Sequence, residues 1–397
     1  MLNGQIARRS SCWRKPIRIS GFKSDLKRTK SQESYLNQIL ECINEPSIRR
    51  NNLIQKHLFQ HYPRCDGYFI HYDHFEHETR GVYSLSYSKC GKYIVIGFGN
   101  GSIKLLNRET WKPQVFLKGS KIGLPINSIK FSKSSDSSYF FAGSENGTIS
   151  VGTVSPHSYV TFAQETGNAI YTMDLDKKAE NLLTAGEDSV IRVYDCNTNQ
   201  KKRELSGHEN RIYCVRMNPD DDNCFVSGGL DRTLKFWDLR SNKCLLKSEK
   251  SCMLFGDGID VKNGVLAIVS WEEPPGQIWD MREMRKVKDI TPKNRKVQKT
   301  GSLTLCGKFF HANSDSADLF MAGSMGHGSM VFYSLKEEAV LHAFVANETI
   351  ICIDSRGHEV AFGGKQMGLY IVEFFPDIDS FESVDSSSSY SDYQDSD

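Results

Sequence analysis

The sequence predicts an all-β fold, a seven-bladed β-propeller with a short N-terminal helical segment and disordered ends, on three observations. The first is a repeated unit. Residues 207–240, GHENRIYCVRMNPDDDNCFVSGGLDRTLKFWDLR, hold an alternating apolar run, a polar turn, a second run ending in small residues, a Gly/Asp turn and a third run ending aromatic-Asp. That is three strands per unit, and YTMDLDKKAENLLTAGEDSVIRVYD before it and GIDVKNGVLAIVSWEEPPGQIWDMR after it follow the same plan. The second is the period. Taking the last aromatic of each unit, or its equivalent, as a marker gives Leu106, Gly152, Tyr194, Trp237, Trp279, Tyr333 and Val372, at intervals of 46, 42, 43, 42, 54 and 39 residues. Four strands recurring at such a period mark a propeller. The third is a shortage at the end: the last unit offers only three strands, around 349–355, 359–363 and 368–374, while the aromatic stretch GYFIHYDHF at 67–75 is surplus before the first unit. An unpaired edge invites aggregation, so 67–75 is expected to supply the missing outer strand and lock the ring.

Along the chain, residues 1–30 form a basic arm with nine Lys and Arg against the single acid Asp25. Its readings are a transit peptide, a nuclear or nucleic-acid-binding signal, and a solvated disordered arm; the last is favoured because the charges are dispersed and no aromatic residues interleave them. Residues 31–62 are expected to be helical: Leu36, Ile39, Leu40 and Ile43 share one helical face, and Pro46 can open a second helix carrying Ile48, Leu53, Ile54 and Leu58. The propeller is expected over 67–375. The tail 376–397 carries seven acids and no base and buries too little apolar surface to fold; Ser391 and Ser396, beside acids, suit acidophilic kinases.

Hydrophobic residues make up 39% of the chain, enough for a large core. No run approaches the ~18 apolar residues of a membrane span, and the first residues lack the apolar stretch of a secretory signal. The expectation is a protein of the cytoplasm and/or nucleus, monomeric on its own. The 11 cysteines, without CxxC pairs, are expected to be reduced and mostly buried. His71, His74 and His77 have metal-like spacing, but on a strand alternate residues face opposite sides, so no metal site is expected. No phosphate loop or nucleophile elbow occurs, so neither cofactor nor enzymatic activity is expected.

Gly207-His208 and Trp237-Asp238, with Trp279-Asp280 and Tyr194-Asp195 in the neighbouring units, resemble the WD-repeat family over roughly residues 67–375. The resemblance implies a buried hydrogen-bonded set of His208, Ser227, Asp231 and Trp237 that is structural. A hydrolytic triad would need an exposed nucleophile and an oxyanion hole, whereas Ser227 sits in an apolar strand. The other units are expected to have lost this set, keeping only tight turns such as Asn100-Gly101 and Asn146-Gly147.

The function this predicts is a non-enzymatic scaffold that binds partner proteins or peptides through the propeller faces. FVSGGLDRTLKFWDLR and the following IWDMR also resemble the paired WDxR motifs of cullin-4 ubiquitin-ligase substrate receptors, which implies Arg240 and Arg282 as contacts to the ligase's adaptor propeller. The competing reading is that each arginine only closes its own turn. Trp271, in the long turn SWEEPPGQ, is a candidate partner-binding residue on the upper rim, with a core position as the alternative. The basic stretch 282–299 reads as an exposed strand plus loop.

Overall fold

Six repeats each deliver four consecutive antiparallel strands to their own sheet, and the seventh sheet joins three strands of the last repeat to Cys65–Tyr72, giving seven four-stranded sheets. The structure is a computed structural model and describes residues 65–376 except 73–76, 111, 133–138, 242, 249–251, 273, 291–303, 311–318, 325–328, 337, 346–348 and 366–367. The expected helical segment 31–62, the arm and the tail lie outside the described residues. Blades 1 to 7 are numbered from their inner strands: Val82–Tyr87, Ile126–Phe131, Ile170–Leu175, Ile212–Asn218, Ile259–Lys262, Thr304–Phe309 and Ile350–Arg356. All seven markers chosen by period fall in third strands.

The core lies between blades. Val95, Ile103 and Leu105 of blade 1 interlock with Ile126, Ile129 and Phe140 of blade 2, and Leu183 and Val193 of blade 3 with Val215, Phe225 and Trp237 of blade 4. Each sheet is thus covered on both faces, which explains why second strands such as Tyr93–Phe98 (YIVIGF) run apolar without alternating. In the tight turn after the second strand, Gly101 and Gly147 take φ of 79° and 83°, but Ser189 and Arg232 hold the same turn at 65° and 58°. At Gly147 a Cβ would lie 2.2 Å from the Glu165 carbonyl oxygen, so glycine is required there by space as well as conformation.

The ring closes through residues from both ends of the described chain. In blade 7 the order from outside inward is Cys65–Tyr72, Leu369–Pro376, Glu359–Gly364, Ile350–Arg356. Cys65 lies opposite Pro376 and Tyr72 opposite Leu369.

Strand direction sorts the loops. Connections from an outer strand to the next inner strand, and from second to third strands, open on one face; the others open on the opposite face. Gly207-His208 and Trp271 lie on the first, Arg240 and Arg282 on the second.

Candidate functional site

Blade 4 comprises Ile212–Asn218, Asp221–Gly229, Leu234–Asp238 and Lys243–Lys247. Its second strand brings Ser227, and its third strand Trp237, beneath the loop bearing His208. Trp237 Nε1–H donates to Ser227 Oγ at 2.8 Å; the hydroxyl in turn donates to His208 Nε2 at 2.7 Å. His208 Nδ1–H then donates to Asp231 Oδ2 at 2.7 Å. The indole can only donate, which leaves the serine hydrogen for His208 Nε2 and places the imidazole hydrogen on Nδ1. Asp231 also accepts from the amides of Glu209 and Thr233, both at 3.1 Å.

Burial pushes the His208 pKa below its ordinary 6.5, outweighing the pull of Asp231. Burial also opposes the charge on Asp231, but the His208 hydrogen bond and the two amides outweigh it and hold the carboxyl well below the usual range. Ser227 is 0% exposed, so its hydroxyl meets no substrate.

Blade 3 corrects the expectation that the other units keep only turns. Here Thr184, Asp188 and Tyr194 occupy the positions of Ser227, Asp231 and Trp237, and Glu165 replaces the histidine. Glu165 accepts from Thr184 Oγ1 at 2.5 Å, Tyr194 OH at 3.1 Å and Asn168 Nδ2 at 2.6 Å, and pairs with Arg192 at 3.2 Å. Blade 5 keeps a remnant, with Trp279 Nε1–H donating to Gln277 Oε1 at 3.0 Å.

The central channel holds a charged ring that the sequence reading missed. The equivalent position near the end of each inner strand is Ser86, Lys130, Asp174, Arg216, Asp260, Lys308 and Asp354 in blades 1 to 7. From blade 2 to blade 7 the charges alternate in sign. Acceptors in odd blades stitch each to the next: Ser86 accepts the Phe131 amide (3.3 Å), Asp174 that of Met217 (2.9 Å), Asp260 that of Phe309 (2.9 Å) and Asp354 that of Tyr87 (2.8 Å). An odd ring cannot alternate throughout. Two acceptors therefore meet at the blade 7–blade 1 seam, and the neutral Ser86 there avoids a pair of adjacent carboxylates.

Asp257, on the approach to blade 5, reaches into this ring. It pairs with Arg216 at 2.6 Å and Lys130 at 3.3 Å and accepts from the Cys214 thiol at 3.2 Å. Although burial opposes its charge, Arg216 and then Lys130 hold its carboxyl far below the usual range. Lys308 pairs with Asp354. The buried thiols of Cys214, Cys306 and Cys352 lie 3.9, 3.8 and 3.9 Å from carbonyls of neighbouring blades, at the position where blades 1 to 3 hold Ser84, Ser128 and Thr172.

Above the ring the channel widens into a mouth of about 480 Å³. One side of its wall is a continuous stack of aromatic rings. Tyr171 lies on Tyr213 at 4.8 Å and 11°, Tyr213 on Phe255 at 4.8 Å and 29°, and Phe255 against Trp271 at 5.0 Å and 44°. Phe255 is 42% exposed. Trp271 is half-buried at the mouth rather than in a blade core. Tyr83, Leu305 and Ile351 continue the wall on the far side.

On the opposite face Arg240 and Arg282 differ. Arg240 forks onto Asp238, with Nε at 3.0 Å and Nη2 at 2.8 Å from its oxygens. The Arg282 backbone amide donates to Asp280 at 2.8 Å, but its exposed guanidinium makes no hydrogen bond among the described residues. His71 lies in the closing strand and His77 in a 3-10 turn, while His74 lies outside the described residues. No helix among the described residues is long and apolar enough to cross a membrane.

A closed ring of seven four-stranded blades, with a His–Ser–Trp chain inside one of them, defines a β-propeller of the WD type. Two segments, 70–107 and 199–238, match the family profile described as WD domain, G-beta repeat: the chain is a seven-bladed propeller that carries WD40 repeats. Among similar proteins, THO complex subunit 6 homolog of Danio rerio is 25% identical over 181 residues, 41% of this chain and 54% of that protein. DNA damage-binding protein 2 of Mus musculus is 26% identical over 151 residues, 38% of this chain and 35% of that protein. Myosin heavy chain kinase C of Dictyostelium discoideum is 32% identical over 112 residues, 28% of this chain and 14% of that protein. The chain thus spans about half, or less, of the length of these relatives.

Proposed function

We propose that this chain is a non-enzymatic interaction scaffold of the cytoplasm and/or nucleus, and that it holds a partner protein or peptide in the aromatic-walled channel mouth. The observation that carries this is the stack Tyr171–Tyr213–Phe255–Trp271 around a concave space of ligand size. Rings fixed by mutual contact lose little entropy on binding, which suits them to be energetic anchors. The sealed Ser227 argues against hydrolysis, and the relative from Danio rerio is by name a subunit of a complex, in line with a binding role. The test is quantitative interaction mass spectrometry on full-length wild type, Phe255→Ala and Trp271→Ala. Partners lost from both variants support the reading, and an unchanged partner set removes it.

A second reading is a substrate receptor of a cullin-4 ligase docking through the opposite face. The free Arg282 fork favours it, because a bidentate donor is available to an acidic partner without breaking any contact. Arg240, committed to Asp238, contributes less to such docking. Loss of the cullin adaptor on Arg282→Ala, and less so on Arg240→Ala, supports this reading; absence of the adaptor from wild type ends it.

A further inference from the structure

We infer that the channel mouth takes a basic side chain, an arginine or lysine presented by the partner, seated against the aromatic arc and over Asp257. This inference rests on the reading of the mouth as the partner site and adds the chemistry of the guest.

Three features of the mouth argue for a cation. First, the arc presents ring faces, whose quadrupole attracts positive charge and favours the flat guanidinium of arginine. Second, a carboxylate is offered beneath the arc: of the channel carboxylates Asp174, Asp257, Asp260 and Asp354, Asp257 and Asp354 line the mouth, and the Lys130 and Lys308 that line it with them are already paired to them. Asp257 is the most accessible of these, with 40% of its side chain exposed against 2% for Asp174, 8% for Asp260 and 10% for Asp354. It follows Phe255 by two residues, so the arc and the carboxylate belong to one short segment. A carboxylate has about four acceptor sites, so one remains beside Arg216, Lys130 and the Cys214 thiol. Third, the rim charges on this side are occupied or acidic. Arg211 is held by Glu187 at 2.6 Å and Arg232 by Glu272 at 2.5 Å.

The remaining cation of the mouth stands across from the arc. It is Lys365, which lines the mouth from blade 7. The mouth thus has an accessible carboxylate under the arc and an ammonium across from it. A basic anchor fits the arc side, and an acidic residue beside it in the partner sequence fits the side of Lys365.

The experiment selects a displayed library of random nonapeptides on the full-length chain, then measures individual capped peptides by fluorescence anisotropy against wild type, Phe255→Ala and Asp257→Asn. The expected result is enrichment of Arg or Lys at one position. Its replacement by Gln, or the use of either variant, weakens binding by about tenfold or more. A melting curve of Phe255→Ala, with its transition above the assay temperature, separates loss of binding from unfolding even if Asp257→Asn proves unstable. Enrichment of acidic or apolar anchors whose binding still fails on Phe255→Ala overturns the inferred guest and leaves the mouth as the partner site. Peptides that bind Phe255→Ala as well as wild type, or no enrichment at all, overturn both.

Discussion

At the positions where blade 4 holds Ser227 and Trp237, blade 1 holds Ile96 and Leu106, in the same registers of the same strands. All four are buried, Ile96 and Leu106 at 0% exposure. In blade 4 the space is filled by a directed hydrogen-bond chain ending on Asp231; in blade 1 it is filled by hydrocarbon, and Asn100 at the aspartate position only ties its own turn, accepting from the Ser102 amide at 3.0 Å and hydroxyl at 2.6 Å. The lesson is that the blade fold needs volume at these sites and tolerates either chemistry. The failure modes differ, since a polar chain breaks as a unit whereas apolar filling erodes methyl by methyl.

Four measurements test that contrast. Asp231→Ala should have the largest effect, about 3–5 kcal/mol in urea unfolding, because it orphans the His208 imidazole and leaves the buried Lys235 ammonium, 3.9 Å away, without its carboxylate. Asn100→Ala should cost only about 1 kcal/mol. Equal costs would break the comparison. Next, Ser227→Ala should cost about 1–3 kcal/mol by leaving the indole N–H and the imidazole nitrogen unpaired, and adding Trp237→Phe should cost less than the sum because the orphaned donor goes with it. Ile96→Val should cost about 0.5–1.5 kcal/mol.

The third concerns pH. The folded-state pKa of His208 lies below the ordinary 6.5, so in the window just below 6.5 the unfolded chain binds the proton first and stability falls with pH. Asp231, also depressed, adds a further loss as pH falls below 3.8. Hydrogen exchange corrected for intrinsic rate should show blade 4 amides losing protection between pH 7 and 5.5 more than blade 1 amides, and His208→Gln should reduce the difference. The smallest effect is expected for Arg240→Ala: its ion pair with Asp238 is exposed, so the urea midpoint should not move measurably.

The ring and its closure were legible because they depend on period and on strand count, which a chain displays in one dimension. The quartet was legible through Gly207-His208 and Trp237-Asp238. Glu165 was not, because it reaches the equivalent place from a differently spaced loop, five residues before Ile170, whereas His208 stands four before Ile212. The channel ring was hidden for another reason. Lys130, Asp174 and Arg216 each look like a solvent-facing residue of an alternating strand, and their alternation in sign appears only when seven inner strands are superposed. The stack from Tyr171 to Trp271 joins residues of three blades and has no local signature at all.

The pairing of Cys65–Tyr72 with Leu369–Pro376 also has a meaning in time. The ribosome must make about three hundred further residues after the first partner before the second exists, which at about 5–20 residues per second is about 15–60 seconds. Throughout that interval the nascent chain is an open crescent with both rims of its unfinished arc unpaired, so the exposure to chaperones and to misassociation is set by the length of the gene between the two halves of one sheet.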